Sequence, residues 1–511
     1  MNLNIIKRFV AVAVTTVTVF STSAYACTGV YVGKNASVDG SCMIARTEDL
    51  TSYNSKRFVV YPAKDYPEGA LYTDAHGLSL PCPSHTYRYT AVPTSKERGI
   101  GADAFGAAGF NELGVAATST ITAYPNQKAI TADPFVKNGL YELSANNLIL
   151  SRATSARHGI EIIAEIVDNY GSGEGNIIMT ADKNEAWYME IYTGHQYAAI
   201  KLPDDMAAVI PNAYMLGEID INSDDVIVSK DLVSLADKKG FLKKTNGKIN
   251  LRKTYAEEEK DSNSIRIWGG KKLLHGVVGD DPYKTEYTLL FKPAKKITLK
   301  EVMDVTRSRY EKTKYSLDIP GNKYVRSIAT SRQEECHILQ IRPNQPQETA
   351  CVEWLCLANS EFNPYIPYYA TAITDTPDIC KFDSLEYSPY SMYWTNRSLA
   401  TLCAQNRTLY GNAIKDFYSK YEDALIKNLE KTDVKLNRSK IKSQTANELC
   451  KNAAYDAYNK SKVLYSELIE FLATYEGEDE FPDNKLEFEI KLKPEVTEIP
   501  SYINGPTVIT Q

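Results

Sequence analysis

A cysteine that follows a small-x-small cleavage signal can do chemistry that no internal cysteine can. Cys27 stands directly after Ala24-Tyr25-Ala26. Before these lie a short basic start, Lys7 and Arg8, and the apolar run FVAVAVTTVTVF. Residues 1–26 therefore read as a secretory signal. Cutting after Ala26 leaves Cys27 with a free α-amino group beside its thiol. Such an amine titrates at about 7.7–8.0 and a thiol at about 8.5, so the amine can accept the thiol proton and return it to a leaving amine. One residue then supplies both nucleophile and base for acyl transfer. Residues 1–30 leave two other uses of Cys27 open: acylation as a lipoprotein cysteine, or a disulfide. Bulky Tyr25 and the lack of a Leu three residues before Cys27 speak against the first.

Positioning Cys27 is the task of the residues that follow. CTGVYVG reads as a strand, KNASVDG as turn chemistry and SCMIAR as a second, buried strand. A hairpin of this kind returns Arg46 and Asp49 to the side of Cys27. Glu48 is expected to point to the face opposite Asp49 and to be structural. Further strands are expected at KRFVVYP, GFNELGVAATSTIT and NIIMTADKNEAWYMEIYTGHQYAAIKLP. Between the last two, NGLYELSANNLILSRAT and SARHGIEIIAEIVDNYG carry apolar residues at helical spacing. GSGEG at 171–175 is followed by no helix, so it reads as a turn and not as a phosphate loop.

Residues 242–262 are charged and polar and read as a solvated loop or insertion. Beyond about residue 396 the pattern changes. Ile414, Phe417, Tyr421, Leu425 and Leu429 form one helical stripe, and Leu449, Ala453, Ala457, Leu464 and Leu468 another. TDVKLNRSKIKSQ is the expected linker between them. The organisation is thus a signal at 1–26, a catalytic domain at 27–395, a helical hairpin at 396–475 packed on it, and a tail at 476–511 whose KLEFEIKLK alternates as a late strand.

Composition narrows the function. The formal charge is −6, and removing Lys7 and Arg8 makes the chain more acidic still, which gives no support for nucleic-acid binding. No apolar run outside the signal approaches membrane-span length. The nine cysteines include no CxxC, so a zinc site is not indicated, and disulfide pairing among the eight besides Cys27 stays open. No G-x-S-x-G, H-E-x-x-H or Walker loop occurs, and the six histidines are scattered.

From Cys27 through Asp49 the chain carries C-T…V-G-K-x-A-S-x-D-G-S-x-M-x-A-R-x-E-D. With NELGVA, DPFVKNGL, EAWYMEIYTGHQYAAIKLPDD, VIPNAYMLGEID, SIRIWGGKKLL, LFKPAKKIT and RSIATSRQEECHILQIRP, it closely resembles the bacterial dipeptidases of peptidase family C69, relatives of penicillin V acylases and bile salt hydrolases. The resemblance covers most of residues 27–395. It implies an α+β fold: the αββα four-layer sandwich of N-terminal nucleophile hydrolases, with a C-terminal helical region. It implies amide hydrolysis through a thioester on Cys27, with no metal or organic cofactor. Arg46 and Asp49 match the superfamily's R-x-x-D spacing, for holding the thiolate and the α-ammonium respectively. Asn212, in VIPN, matches an asparagine that supports the oxyanion or substrate. Arg326, in GNKYVRS, matches an active-site arginine, with Arg332 as a nearby rival. The acylases' further oxyanion Asn has no counterpart in AATSTIT, where Ser119, Thr120 or backbone amides would serve.

The expected protein is an exported cysteine dipeptidase, periplasmic or secreted. The alternatives are a small-amide acylase of the same chemistry and a lipid-anchored, non-enzymatic binding protein. Its expected partners are a small dipeptide or amide substrate and the signal peptidase that matures it. No nucleic acid and no stable membrane span after cleavage are expected, and a homo-oligomer is possible.

Overall fold

The computed structural model describes residues 27–50, 54–101, 104–119, 121–283 and 286–474. The expected signal at 1–26 and the late strand in the tail lie outside these residues, as do Thr120 and the side chain of Ser119.

Two antiparallel sheets and a set of helices make an α+β fold. The first sheet begins with β1 (Thr28–Val32) and β2 (Cys42–Asp49), joined through the expected turn. Gly40 sits in that turn at φ +77°, the left-handed region a side chain would strain. The second sheet is built from β3 (Ala108–Phe110), β4 (Ala116–Ser119), β5 (Asn176–Ala181), β6 (Ala186–Ile191), β7 (Tyr197–Leu202) and, after β8 (Ala207–Ile210) has crossed to the first sheet, β9 (Val226–Val228). Its order is β9-β7-β6-β5-β4-β3, so the stretch from Asn176 to Leu202, where strands were expected, forms a three-stranded meander. The first sheet is completed by β10 (Leu290–Phe291), β11 (Gln333–Ile341), β12 (Cys351–Leu357) and β13 (Ile366–Tyr369), in the order β10-β8-β1-β2-β11-β12-β13.

Alternation along β5 shows how the sheets use their faces. Ile177, Met179 and Ala181 join one core with Val30, Tyr31 and Ile44. Ile178, between them, joins another with Ile160, Ile163 and Val167. Those three belong to α2 (Ala156–Tyr170), which follows α1 (Glu142–Leu150) and is capped by the Ser155 hydroxyl accepting from His158 N–H. The sheets approach closely beside Cys27: a Cβ on Gly29 would lie 2.6 Å from Ile121 Cδ1 and 3.2 Å from Met179 Cε. The first sheet is packed by α3 (Asp261–Leu273), whose Gly270 would set a Cβ 2.8 Å from Val209, and by α4 (Leu299–Thr306).

The C-terminal region contains α5 (Met392–Gln405), α6 (Asn412–Arg438) and α7 (Lys442–Thr474). Both expected stripes face inward, and α7 packs on β13. Ion pairs tie α6 to the rest of the fold, with Glu422 on Arg307, just past α4, at 2.7 Å and Asp433 on Arg342, just past β11, at 2.7 Å. Two expectations are corrected. The polar stretch TDVKLNRSKIKSQ is mostly helix, because Asp433 and Leu436 are buried within it, and the break shrinks to residues 439–441. Residues 242–262 are not simply a loop: Lys248–Asn250 is a strand, Leu251–Tyr255 a helical turn, and Leu251, Thr254 and Tyr255 are buried.

Candidate active site

Cys27 immediately precedes β1 and is buried, at 2% exposure. The β1–β2 register sets Gly29 opposite Arg46 and Thr28 opposite Thr47. This delivers the Arg46 guanidinium to the sulfur, with Nη1 3.5 Å from Cys27 Sγ. Burial pushes the thiol up to about 12; Arg46 pulls against that shift, as does the Asp49 backbone amide, while the carboxylates of Glu142 and Asp49 add to it.

Arg46 is itself a hub. Its Nη1 lies 3.4 Å from Glu142 Oε1, and its Nη2 lies 3.4 Å from Glu48 and 3.9 Å from Glu335. Glu48 also pairs with Lys56 at 2.9 Å, and Glu335 with His337 at 2.9 Å. His337 Nε2 continues to Thr118 Oγ1 at 2.8 Å. The charges of Cys27, Glu48, Glu142 and Glu335 hold Arg46 protonated above the ordinary arginine range despite its burial. Glu48 is therefore not remote from the site. Alternation puts it on the face of Arg46, two residues earlier, and the pairing with β11 shifts between Glu48 and Asp49.

That shift lets Asp49, too, approach Cys27. Asp49 Oδ2 accepts from Arg326 Nη2 at 2.5 Å, whereas its buried Oδ1 has no hydrogen-bond partner among the described residues. Burial pushes the Asp49 carboxyl up, against the pull of Arg326 and, more weakly, Arg266 and Arg332. Arg332 is exposed, and its carbonyl accepts from the Leu50 amide. Of the two arginines read from the sequence, Arg326 is the one in contact with a site side chain.

Asn212 follows β8, the neighbour of β1. Its Nδ2 donates to the Thr122 carbonyl at 2.9 Å and its Oδ1 accepts from Arg266 Nη1 at 3.0 Å. Arg266 escaped the sequence reading. It lies on α3 with 1% exposure, and its Nη1 donates to the Cys27 carbonyl at 2.6 Å and to Thr28 Oγ1 at 3.2 Å. Its Nη2 donates to Asn263 Oδ1 at 2.7 Å. Burial, reinforced by the neighbouring Arg326, disfavours its charge. The available signal was an arginine inside the apolar SIRIWGG segment, a place where a charge is rarely kept without partners.

Two other residues from the quoted segments have structural work. Asn111 of NELGVA donates to the Ala153 carbonyl at 2.7 Å, and its Oδ1 accepts from the amides of Leu113 and Val115, which fixes the turn between β3 and β4. Gly171 of GSGEG closes α2 at φ +75°. All nine cysteines are free thiols. Among the described residues no group of His, Cys, Asp and Glu has the arrangement of a metal site, and no helix is long and apolar enough to cross a membrane.

One thiol, the carboxylates of Glu48, Asp49, Glu142 and Glu335, and three arginines, gathered where β1 starts and β2 ends, make a set equipped to hold an anion on sulfur and on a reacting oxygen. The profile of peptidase family C69 matches residues 26–420. The chain is 34% identical over 474 residues to a probable dipeptidase B of Streptococcus pyogenes serotype M1, covering 87% of this chain and 93% of that protein. It is 36% identical over 399 residues to a probable dipeptidase B of Lactococcus lactis subsp. lactis (strain IL1403), covering 75% and 82%. It is 33% identical over 403 residues to a probable dipeptidase of Latilactobacillus sakei, covering 77% and 84%. The chain thus belongs to peptidase family C69.

Proposed function

We propose that this protein is a cysteine dipeptidase whose nucleophile, Cys27, becomes the N-terminus when residues 1–26 are removed during export. The observation that carries this reading is the buried Asp49 Oδ1, unsatisfied among the described residues beside Cys27. A buried acceptor of this kind calls for a donor. The α-ammonium created by cleavage before Cys27 is a donor of the right charge. It would also act on the sulfur: at a separation of about 4 Å a positive charge stabilises a thiolate by roughly 4 kcal/mol at an effective dielectric of 20. That offsets much of the burial that pushes the thiol up to about 12.

The reaction follows from these groups. The α-amine of Cys27 takes the thiol proton, and Sγ attacks the peptide carbonyl carbon. Arg46 steadies the charge on sulfur. Asn212 has one Nδ2 hydrogen beyond the one given to Thr122 and can donate it to the oxyanion. The C–N bond breaks as the amine returns the proton to the departing amino acid. Water, deprotonated by the same amine, then hydrolyses the thioester and frees the second amino acid. The two packed sheets with α1 and α2 against one and α3 and α4 against the other support the four-layer αββα reading.

Intact-mass analysis of exported protein tests maturation, with Cys27 expected as the first residue. Turnover of a dipeptide panel, beside N-acyl amino acids and conjugated bile acids, tests the activity. Iodoacetamide should label Cys27 at neutral pH in mature protein and far more slowly in a chain that retains residues before it. A terminus elsewhere, a diacylglyceryl mass on Cys27, or full turnover by Cys27→Ala would remove the mechanism.

A further inference from the structure

We infer that Glu142 is the residue that selects substrates with an unblocked amino end, by binding the α-ammonium of the dipeptide's first residue. The inference rests on the dipeptidase reading and deepens it. Three glutamates touch Arg46, and they are not equivalent. Glu48 and Glu335 have fully buried side chains. Glu142 is the one whose side chain keeps some exposure, at 10%. It opens α1 and shares Arg46 Nη1 with the sulfur of Cys27, so a single guanidinium nitrogen separates its carboxylate from the nucleophile.

For acyl transfer alone this placement is counterproductive. A carboxylate there opposes both the thiolate and the oxyanion that follows it. A cation delivered by the substrate reverses the penalty. In a dipeptide the α-ammonium sits on the carbon bonded to the attacked carbonyl, two bonds from the reacting centre. When that carbonyl carbon meets Sγ, the ammonium necessarily lies within a few ångströms of the sulfur, whose neighbour Arg46 Nη1 also contacts the Glu142 carboxylate. An N-acylated substrate carries no charge at that position and adds nothing to the compensation that Arg46 gives the Glu142 carboxylate. The carboxylate would thus favour peptides with a free amino end over N-acyl amides, and substrate binding itself would ease ionisation of Cys27.

The test compares alanyl-alanine with N-acetyl-alanyl-alanine, and with N-propionyl-alanine, which lacks only the ammonium. Parent protein should hydrolyse alanyl-alanine with a kcat/KM roughly 10²-fold or more above either neutral analogue, the scale expected for a partly buried charge pair. In Glu142→Gln that ratio should collapse toward unity, chiefly through loss of turnover of alanyl-alanine. Protection of Cys27 from iodoacetamide is the second readout: the parent should need at least 10-fold less dipeptide than N-propionyl-alanine, and Glu142→Gln should need similar amounts of both. Glu142→Asp, which keeps the charge and serves if the Gln variant does not fold, should give a reduced preference. An equal fall for all substrates, with the ratio unchanged in both variants, means that Glu142 acts only through Arg46 and overturns the inference. Parent protein that turns over no dipeptide instead sinks the underlying reading.

Discussion

Arg266 donates to the carbonyl oxygen of Cys27 at 2.6 Å, so a helix on the outer side of the first sheet holds the backbone of the candidate nucleophile. The same guanidinium nitrogen reaches Asn212 Oδ1, which fixes the direction in which the Asn212 amide points. One buried side chain therefore sets the position of two others. Arg266→Met should keep much of the volume but leave the Cys27 carbonyl, Asn212 Oδ1 and Asn263 Oδ1 without their donor. Unsatisfied buried acceptors cost about 1–3 kcal/mol each, so a stability loss of a few kcal/mol is expected by denaturant titration. Turnover should fall on the order of 10²-fold or more in variant protein that is still folded, since misplacing a reacting group by about 1 Å has that effect. Parent-like turnover would show that the clamp is dispensable.

Arg326 and Arg332 separate cleanly by contact. Arg326 bonds Asp49, whereas Arg332 offers its backbone carbonyl to Leu50 and keeps an exposed side chain. Arg332→Ala should therefore change kcat/KM by less than about threefold, in line with the small effects of exposed substitutions. Arg326→Ala leaves the buried Asp49 carboxyl without its closest cation and raises its pKa further. The acidic limb of the pH–rate profile should move to higher pH in that variant, because the carboxylate is needed in its charged form. A profile that does not move would remove Asp49 from the ionised machinery.

The hairpin around Cys27 was legible because turn chemistry and strand periodicity are local. The register that brings Arg46 to the sulfur follows almost entirely from the length of the KNASVDG turn. Asn212 was legible only through resemblance, since it comes from a strand far along the chain that pairs with β1 from its other side. Arg266 was legible only as a charge inside SIRIWGG, because α3 is buried on several faces and nothing local shows that this turn meets Cys27. The same limit explains TDVKLNRSKIKSQ. Its polarity suggests a linker, but Asp433 is buried on Arg342, a contact made across the fold.

Glu48 offers a sharper test of the charge network than its place in the strand suggested. Glu48→Gln removes the anion shared by Lys56 and Arg46, and Lys56 is almost wholly buried. Breaking one side of a buried pair typically costs about 3–5 kcal/mol. A loss of that size in chemical denaturation is expected, with Cys27 alkylation changed far less than in Arg46→Ala. If Glu48→Gln matches the parent in stability, Lys56 has an adequate second partner and the network is looser than its distances imply.

Glu353 gives a clear pH signature in the first sheet. It is fully buried on β12, accepts from Thr90 Oγ1 at 2.7 Å, and burial pushes its carboxyl up to about 8. The folded-state value thus lies above that of the unfolded chain, roughly 4.3. The stability contributed by the neutral acid is complete below about pH 4.3 and is lost as pH rises toward 8, because the unfolded chain releases the proton first. The slope approaches roughly 1.4 kcal/mol per pH unit within that window. Glu353→Gln keeps the shape and a neutral amide and removes the titration. Its stability relative to the parent should rise steadily from pH 5 to pH 8, measured by denaturant midpoints at constant ionic strength. A difference between the two proteins that stays flat over that window would mean that Glu353 is ionised in the folded state, with a compensating cation close to Thr90.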